Sequence, residues 1–241
     1  MGRCGVADVP ERLVARMAAV LASLQAVEQS ASRLCEAGRL MLEADGAALT
    51  VRTDAESVLV VAATDDLARQ LEDLQDVVGE GPSRDAFIEN VLQIADFSEH
   101  GDGRWSVMHQ HGRRLGFEGT VIAVPLRPRD APIGTLTAHR LDPDLDIDPE
   151  AADFVGGAIG LALVHDPQLG LAGDFLAQAW PLRAQIHQAT GMIISQVAVR
   201  PEDALALLRG QAFAQNTTLA DIAQQVIERH INFEQFMIEG D

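Results

Sequence analysis

His109, His111 and His139 could ligate a metal or a haem iron, and Cys4 and Cys35 could carry redox chemistry. The spacing argues against both. His109 and His111 stand two apart, which suits one side of a strand but not one face of a helix, and no cysteine lies near them. Solvated or core roles are the expectation for all three histidines. Cys4 stands close to the first residue and Cys35 falls in a helical stretch, so the pair forms neither a disulfide framework nor a metal spacing. The stretch Gly79-Glu80-Gly81-Pro82 has the composition of a phosphate loop but the wrong spacing, with no strand-to-helix frame around it. It reads as a structural turn. No Ser–His–Asp arrangement can be defended from the sequence. The expectation is therefore a chain with no catalytic residue, no metal and no cofactor.

Charge narrows the partners. The chain has 241 residues and a net charge of −18, from 36 carboxylates against 18 basic residues, every one of them arginine. Such a field repels phosphate globally and excludes a simple polycationic nucleic-acid binder, while leaving room for a local basic site on an acidic body. With 47% apolar residues the chain can build a real core. No apolar run reaches the roughly 18 residues of a membrane span and the first residues lack a secretory pattern, so a cytoplasmic protein with no membrane contact is expected.

Several elements must position whatever chemistry exists. Leu13, Met17, Val20, Leu24, Val27, Ala31 and Leu34 recur in steps of four and three and predict one long helix, widened by Val14, Leu21 and Cys35. It could cover its own domain or pair with a second copy. Residues 46 to 64 read as a hairpin, with Ala47, Leu49 and Val51 alternating with Ala48, Thr50 and Arg52. A second strand pair, 120 to 126 and 133 to 139, turns through 127 to 132, where prolines flank Asp130. The long Gly- and charge-rich segment from Leu74 to Gly119 predicts short helices and loops, where binding residues tend to lie. A helix follows from Pro149, and His165 to Gly173 reads as a linker. Three helices then open at Pro181, Pro201 and the capping residue Thr218, the last with Asp221 as a capping-box partner.

Two ordered sets of fragments resemble known families. Gln70 to Gln75, Val78-Gly-Glu-Gly-Pro82, Asp85-Ala86, Ile94-Ala-Asp96, Arg104-Trp105, Leu115-Gly116, Val124-Pro-Leu126 and Ile133-Gly134 resemble GAF domains of actinobacterial sensor proteins. Arg183, Ile186, Ala189-Thr-Gly191-Met, Ala204, Leu208-Arg209 and Leu219 with Ile222-Ala223 resemble the ANTAR domain of transcription antitermination regulators. The resemblance implies an α+β fold: a GAF-type antiparallel sheet, six-stranded or similar, flanked by helices and followed by an all-α three-helix ANTAR domain. It places the GAF sensor at 11–166, a linker or connecting helix at 167–180, the ANTAR domain at 181–232 and a tail at 233–241. Proteins of this kind act as dimers that bind paired hairpins in nascent RNA and keep a terminator from forming, and they are not enzymes. Here the expected homodimer forms through the N-terminal helix and the GAF helices. Relatives usually carry Lys where Thr190 stands, basic residues at Thr218 and Ala220, and an aromatic at Leu205.

On the residues themselves, Gln188, Ala189, Thr190 and Gly191 combine small side chains that leave room for a splayed base with two groups able to hydrogen-bond it. Close helix packing is the alternative for the same small residues. Arg183, Arg209 and also Arg200 could meet phosphates, although residues 174 to 241 hold four arginines against eight carboxylates. In the GAF half, Asp96, Arg104, Trp105 and His109 are the polar and aromatic candidates for an unidentified small ligand, with internal packing as their competing role. Hairpin RNA is thus the expected partner. The rival reading is a dimeric regulatory protein whose helical tail docks a protein and binds RNA weakly or not at all. DNA is disfavoured, because Leu219 to His230 offers a single arginine to a major groove.

Overall fold

The computed structural model describes residues 11–52, 58–98, 103–142, 146–166, 174–215 and 217–234. Among these, the chain runs α1 (Glu11–Ser23), α2 (Ser30–Met41), β1 (Gly46–Arg52), β2 (Val58–Ala63), α3 (Asp66–Val78), α4 (Pro82–Glu89), β3 (Gln93–Asp96), α5 (Ser106–Arg114), β4 (Thr120–Pro125), β5 (Gly134–Arg140), α6 (Pro149–His165), α7 (Asp174–Val197), α8 (Pro201–Gln215) and α9 (Leu219–Ile227). The strands form one antiparallel sheet ordered β2-β1-β5-β4-β3. The described sheet has five strands where six or a similar number were expected.

Strand alternation decides what each face carries. Ala47, Leu49, Ile122, Val124, Leu136 and Ala138 point into a core shared with Leu13 and Met17 of α1, Cys35 and Met41 of α2, and Ile159 and Leu163 of α6. The alternate residues Thr50, Arg52, Thr135, Thr137 and His139 lie on the opposite face and are buried too, because α3, α4 and α5 cover them. Both faces are therefore closed, which is why the three central strands show no exposed residue.

The expected long N-terminal helix is two. Its stripe breaks after Ser23, whose hydroxyl bonds the Val20 carbonyl at 2.7 Å, and turn hydrogen bonds at Leu24 and Val27 carry the chain into α2. Arg16 of α1 reaches the Leu40 carbonyl and Glu43, so the two helices fold back on one another. Leu13, Met17 and Ala31 thereby bury against the chain's own sheet domain. Cys35 also belongs to that core, and burial pushes its thiol up to about 12, so it stays a protonated packing residue.

Helix α3 starts at Asp66, ahead of the segment from Leu74 in which short helices were expected, and runs into it. Asp65 caps it, accepting from the Ala68 N–H at 2.8 Å, and Gly79 ends it in the left-handed conformation. The Gly79-to-Pro82 turn is structural as expected. Gly79 terminates one helix, Pro82 opens the next at its first turn, and the Glu80 carboxylate accepts from the Val107 and Met108 N–H groups that start α5. At the far end of the chain, α7 begins at Asp174, seven residues before the expected opening at Pro181.

Candidate nucleic-acid interface

Helices α7, α8 and α9 pack around Ile193, Leu208, Ala212, Leu219, Ile222 and Val226. Local chemistry starts each of the last two. Pro201 opens α8 with Glu202 and Asp203 in its first turn, where their charge favours the helix N-terminus. Thr218 and Asp221 form the complete capping box of α9. The hydroxyls of Thr218 and Thr217, bonded to the Asp221 carboxylate, hold its carboxyl below the usual range.

Within this unit the expected RNA residues separate. Ala189 is fully buried in the three-helix core and does not present an exposed face to a base; close packing explains its small side chain. Thr190 is half-buried and its hydroxyl donates to the Ile186 carbonyl at 2.7 Å, one turn back. Gln188 and Gly191 do reach solvent, and an added Cβ at Gly191 would meet nothing within 4 Å. His187 and Ser195 extend the same exposed strip at helical spacing, a pair the sequence reading passed over. Arg183 lies within α7, but its side chain falls outside the described residues. Arg200 pairs with Asp203 at 3.1 Å and Glu202 at 3.3 Å.

Arg209 has a different setting from the expected phosphate contact. Its Nε donates to the Asp76 carbonyl at 3.3 Å, and its guanidinium lies against Gly79, so it holds α8 onto α3. Val77 completes the docking by joining the apolar core of the three helices. A second bridge brings His111 of α5 edge-on to Phe213 of α8, with ring centroids 4.2 Å apart. Arg209, Val77 and Phe213 thus tie the sheet domain to the helical unit.

The junction continues into a buried polar network. Gln75 Nε2 and Ser83 Oγ donate to the two oxygens of Glu72, and Ser83, Thr135 and Thr50 are linked hydroxyl to hydroxyl at 2.7 Å. Burial raises the Glu72 carboxyl, opposed by Arg52. Burial likewise pushes Asp76 up to about 6, against the pull of Arg209 and Arg52. An acid raised by folding costs stability once ionised. Below about pH 4 Asp76 is protonated in both states and costs nothing; between about 4 and 6 the unfolded chain ionises first, so stability falls as pH rises. Two pH units set a ceiling of about 3 kcal/mol on that loss. Asp76→Asn should therefore raise stability at pH 7.5 by about 1–2 kcal/mol and flatten the decline between about pH 4 and 6. Denaturant titrations at several pH values measure this; an unchanged slope with pH contradicts the assignment.

The four candidate ligand residues of the sheet domain make internal contacts. Trp105 is buried and its Nε1 donates to Asp85 at 2.8 Å. Arg104 lies over the same indole, 4.6 Å from its centroid, and bonds Gln93 and Glu89. His109, one turn on, stacks on Phe97 at 4.4 Å. Asp96 accepts from the N–H and hydroxyl of Ser98, closing the turn after β3. The structure brings Arg104, Trp105 and His109 onto one stretch around the start of α5 and leaves Asp96 in its own turn. Among the described residues no group of three or more His, Cys, Asp or Glu could hold a metal ion, and no helix is long and apolar enough to cross a membrane.

Comparison with known proteins follows the same division. A model of the GAF domain matches residues 22–163 and a model of the ANTAR domain matches residues 176–227. Among solved structures, the chain is similar to the chromophore-binding domain of a Stigmatella aurantiaca bacteriophytochrome, with 13% identity over 68% of this chain and 64% of that one and a TM-score of 0.42. It is also similar to a domain assigned to a two-component sensor histidine kinase protein from Sinorhizobium meliloti 1021, with 16% identity over 63% of this chain and 96% of that one and a TM-score of 0.45. The GAF-B domain of DevS from Mycobacterium smegmatis shares 16% identity over 70% of this chain and 95% of that one, with a TM-score of 0.37. The chain spans just under two thirds of the bacteriophytochrome domain. No curated protein sequence matches it.

Proposed function

Because the chain belongs to the GAF domain family and carries an ANTAR domain behind it, we propose that it is a cytoplasmic, signal-responsive antitermination regulator that binds hairpin RNA. One observation carries it: α7 presents an uncharged, open strip at Gln188 and Gly191, with free space above the glycine, on the helix that the ANTAR model spans. A looped-out base can approach such a backbone closely, and the Gln188 amide can read its edge. Two copies acting together would pool two such strips, which offsets the modest charge of each.

Gly191→Leu tests this without disturbing the core, since nothing packs within 4 Å of that position. In mobility-shift assays with a two-hairpin RNA, the wild-type chain is expected to shift the RNA and the variant to bind at least about tenfold more weakly, as expected for loss of one base contact. Equal binding by both would remove α7 from the interface. If the wild-type chain fails to shift the RNA even at low salt, the rival reading takes its place. That reading, a helical unit that docks a protein, draws on the excess of acidic residues at 174 to 241 and on the engagement of Arg209 with α3.

A further inference from the structure

Helix α3 makes two different sets of contacts on adjacent faces. Toward the sheet, Glu72 and Gln75 are each 1% exposed and hold the hydroxyl network. Gln75 Nε2 donates to Glu72 at 2.9 Å, Ser83 Oγ donates to the other Glu72 oxygen at 3.1 Å, and the Ser83 N–H donates to Gln75 Oε1 at 2.7 Å. Toward the three-helix unit, Val77 enters the apolar core and the Asp76 carbonyl accepts from Arg209. Gln75 and Asp76 are consecutive, separated by about 1.5 Å of helix rise.

Gln75 belongs to both sides. Its carbonyl accepts from the Gly79 N–H at 3.0 Å, and the Arg209 guanidinium lies against Gly79, 3.4 Å from the position a Cβ would take. A continuous line of contacts therefore runs from Thr50 of β1 and Thr135 of β5 through Ser83 and Gln75 to Gly79 and Arg209 of α8. The hydroxyls in it have one order. Each has a single proton to give; Ser83 gives its own to Glu72, so Thr135 donates to Ser83 and Thr50 to Thr135. The Gln75 amide has no room to turn, because it is boxed between the Ser83 N–H and Gly81, where a Cβ would overlap it. Interiors packed this closely move between discrete arrangements and do not deform smoothly.

We propose that α3 is a relay between the two domains: the seating of Gln75 in the hydroxyl network sets how tightly the last turn of α3 holds α8, so an event on the covered sheet face that moves Ser83 or Thr135 releases the three-helix unit. The coupling acts whatever that unit binds, and so stands apart from the RNA reading. It is also reciprocal: parting α8 from α3 loosens the network by the same factor.

The test uses the full chain with Cys4→Ser and Val77→Cys, which leaves one thiol at the junction and Cys35 in the core of the sheet domain. A maleimide labels position 77 when α8 parts from α3, and labels Cys35 when the sheet domain itself opens. Thr135→Val keeps the side-chain shape and removes the hydroxyl; it is expected to raise the labelling rate at 77 at least about fivefold, the lower end of ordinary coupling between sites. Ile122→Val, on the other face of the sheet and outside the network, should leave that rate within about twofold even where it speeds labelling of Cys35. An unchanged rate at 77 in Thr135→Val overturns the relay. An equal rise in Ile122→Val overturns it too, as general loosening of the sheet domain. A second measurement runs in the opposite direction and needs no added thiol: amide hydrogen exchange at Ser83, whose N–H donates to Gln75. Val77→Asp is expected to speed that exchange at least about fivefold and Val77→Ile to leave it within about twofold. Equal exchange in the two variants overturns the relay from the other side.

Discussion

Gly134→Ala is expected to remove about 3 kcal/mol or more of folding stability, a large share of what a domain this size possesses. Gly134 opens β5 opposite Val51 of β1, in the middle of the sheet. A Cβ there would stand 2.8 Å from the Val51 Cα, 2.9 Å from the Thr50 carbonyl carbon and closer still to its oxygen. These are backbone atoms, so no rotamer change relieves the overlap; β1 and β5 must separate. That disturbs the Thr50–Thr135 hydroxyl pair and the network leading to Glu72. Gly191→Ala is the matched control, because open space surrounds that position and alanine favours the helix by roughly 0.5–1 kcal/mol. Denaturant unfolding followed by circular dichroism reads both. A Gly134→Ala midpoint within experimental error of wild type would contradict the described pairing of β1 with β5.

The second large effect is expected at the domain junction. Val77 lies on α3 but is buried with Leu208, Ala212 and their neighbours from the three-helix unit, and is only 6% exposed. Val77→Asp would place a carboxylate among apolar side chains, next to Asp73 and Asp76, whose carboxyls burial already raises. An unpaired buried charge costs several kcal/mol, and the cheapest escape is for α8 to leave α3. The expected result is a chain whose two domains unfold in separate transitions and whose radius of gyration in small-angle scattering rises. Val77→Ile should keep both readouts near wild type. A Val77→Asp chain with unchanged scattering and one cooperative transition would show that the junction is not held by this contact.

What the sequence made legible was local. Alternation of Ala47, Leu49 and Val51 with their polar neighbours located β1, the prolines around Asp130 located the turn before β5, and Thr218 with Asp221 located the start of α9. Each signal sits within a few residues of what it specifies. The α+β class and the order of the two domains followed from such signals together with the family resemblance. What stayed hidden depends on distant partners. The break at Ser23 makes sense once α2 returns along α1. Helix α3 had a readable cap at Asp65 and apolar spacing at Leu67, Leu71, Leu74 and Val78, yet its importance comes from what docks on it. Ala189 looks equally suited to a base and to a core, and only the placement of α8 and α9 decides for the core. Arg209 meets Asp76 across 133 positions of sequence, a contact that no spacing rule foresees.

The role assigned to α7 is tested most directly by fluorescence anisotropy of a labelled two-hairpin RNA titrated with the full chain, beside an RNA whose loop bases are closed into duplex. Saturable binding to the open loops, weaker by at least about tenfold for the closed form and weakening as salt rises, is the expected result for a surface that holds unpaired bases and phosphates together. Equal affinity for the two RNAs, or no change in anisotropy at the lowest salt, would contradict it.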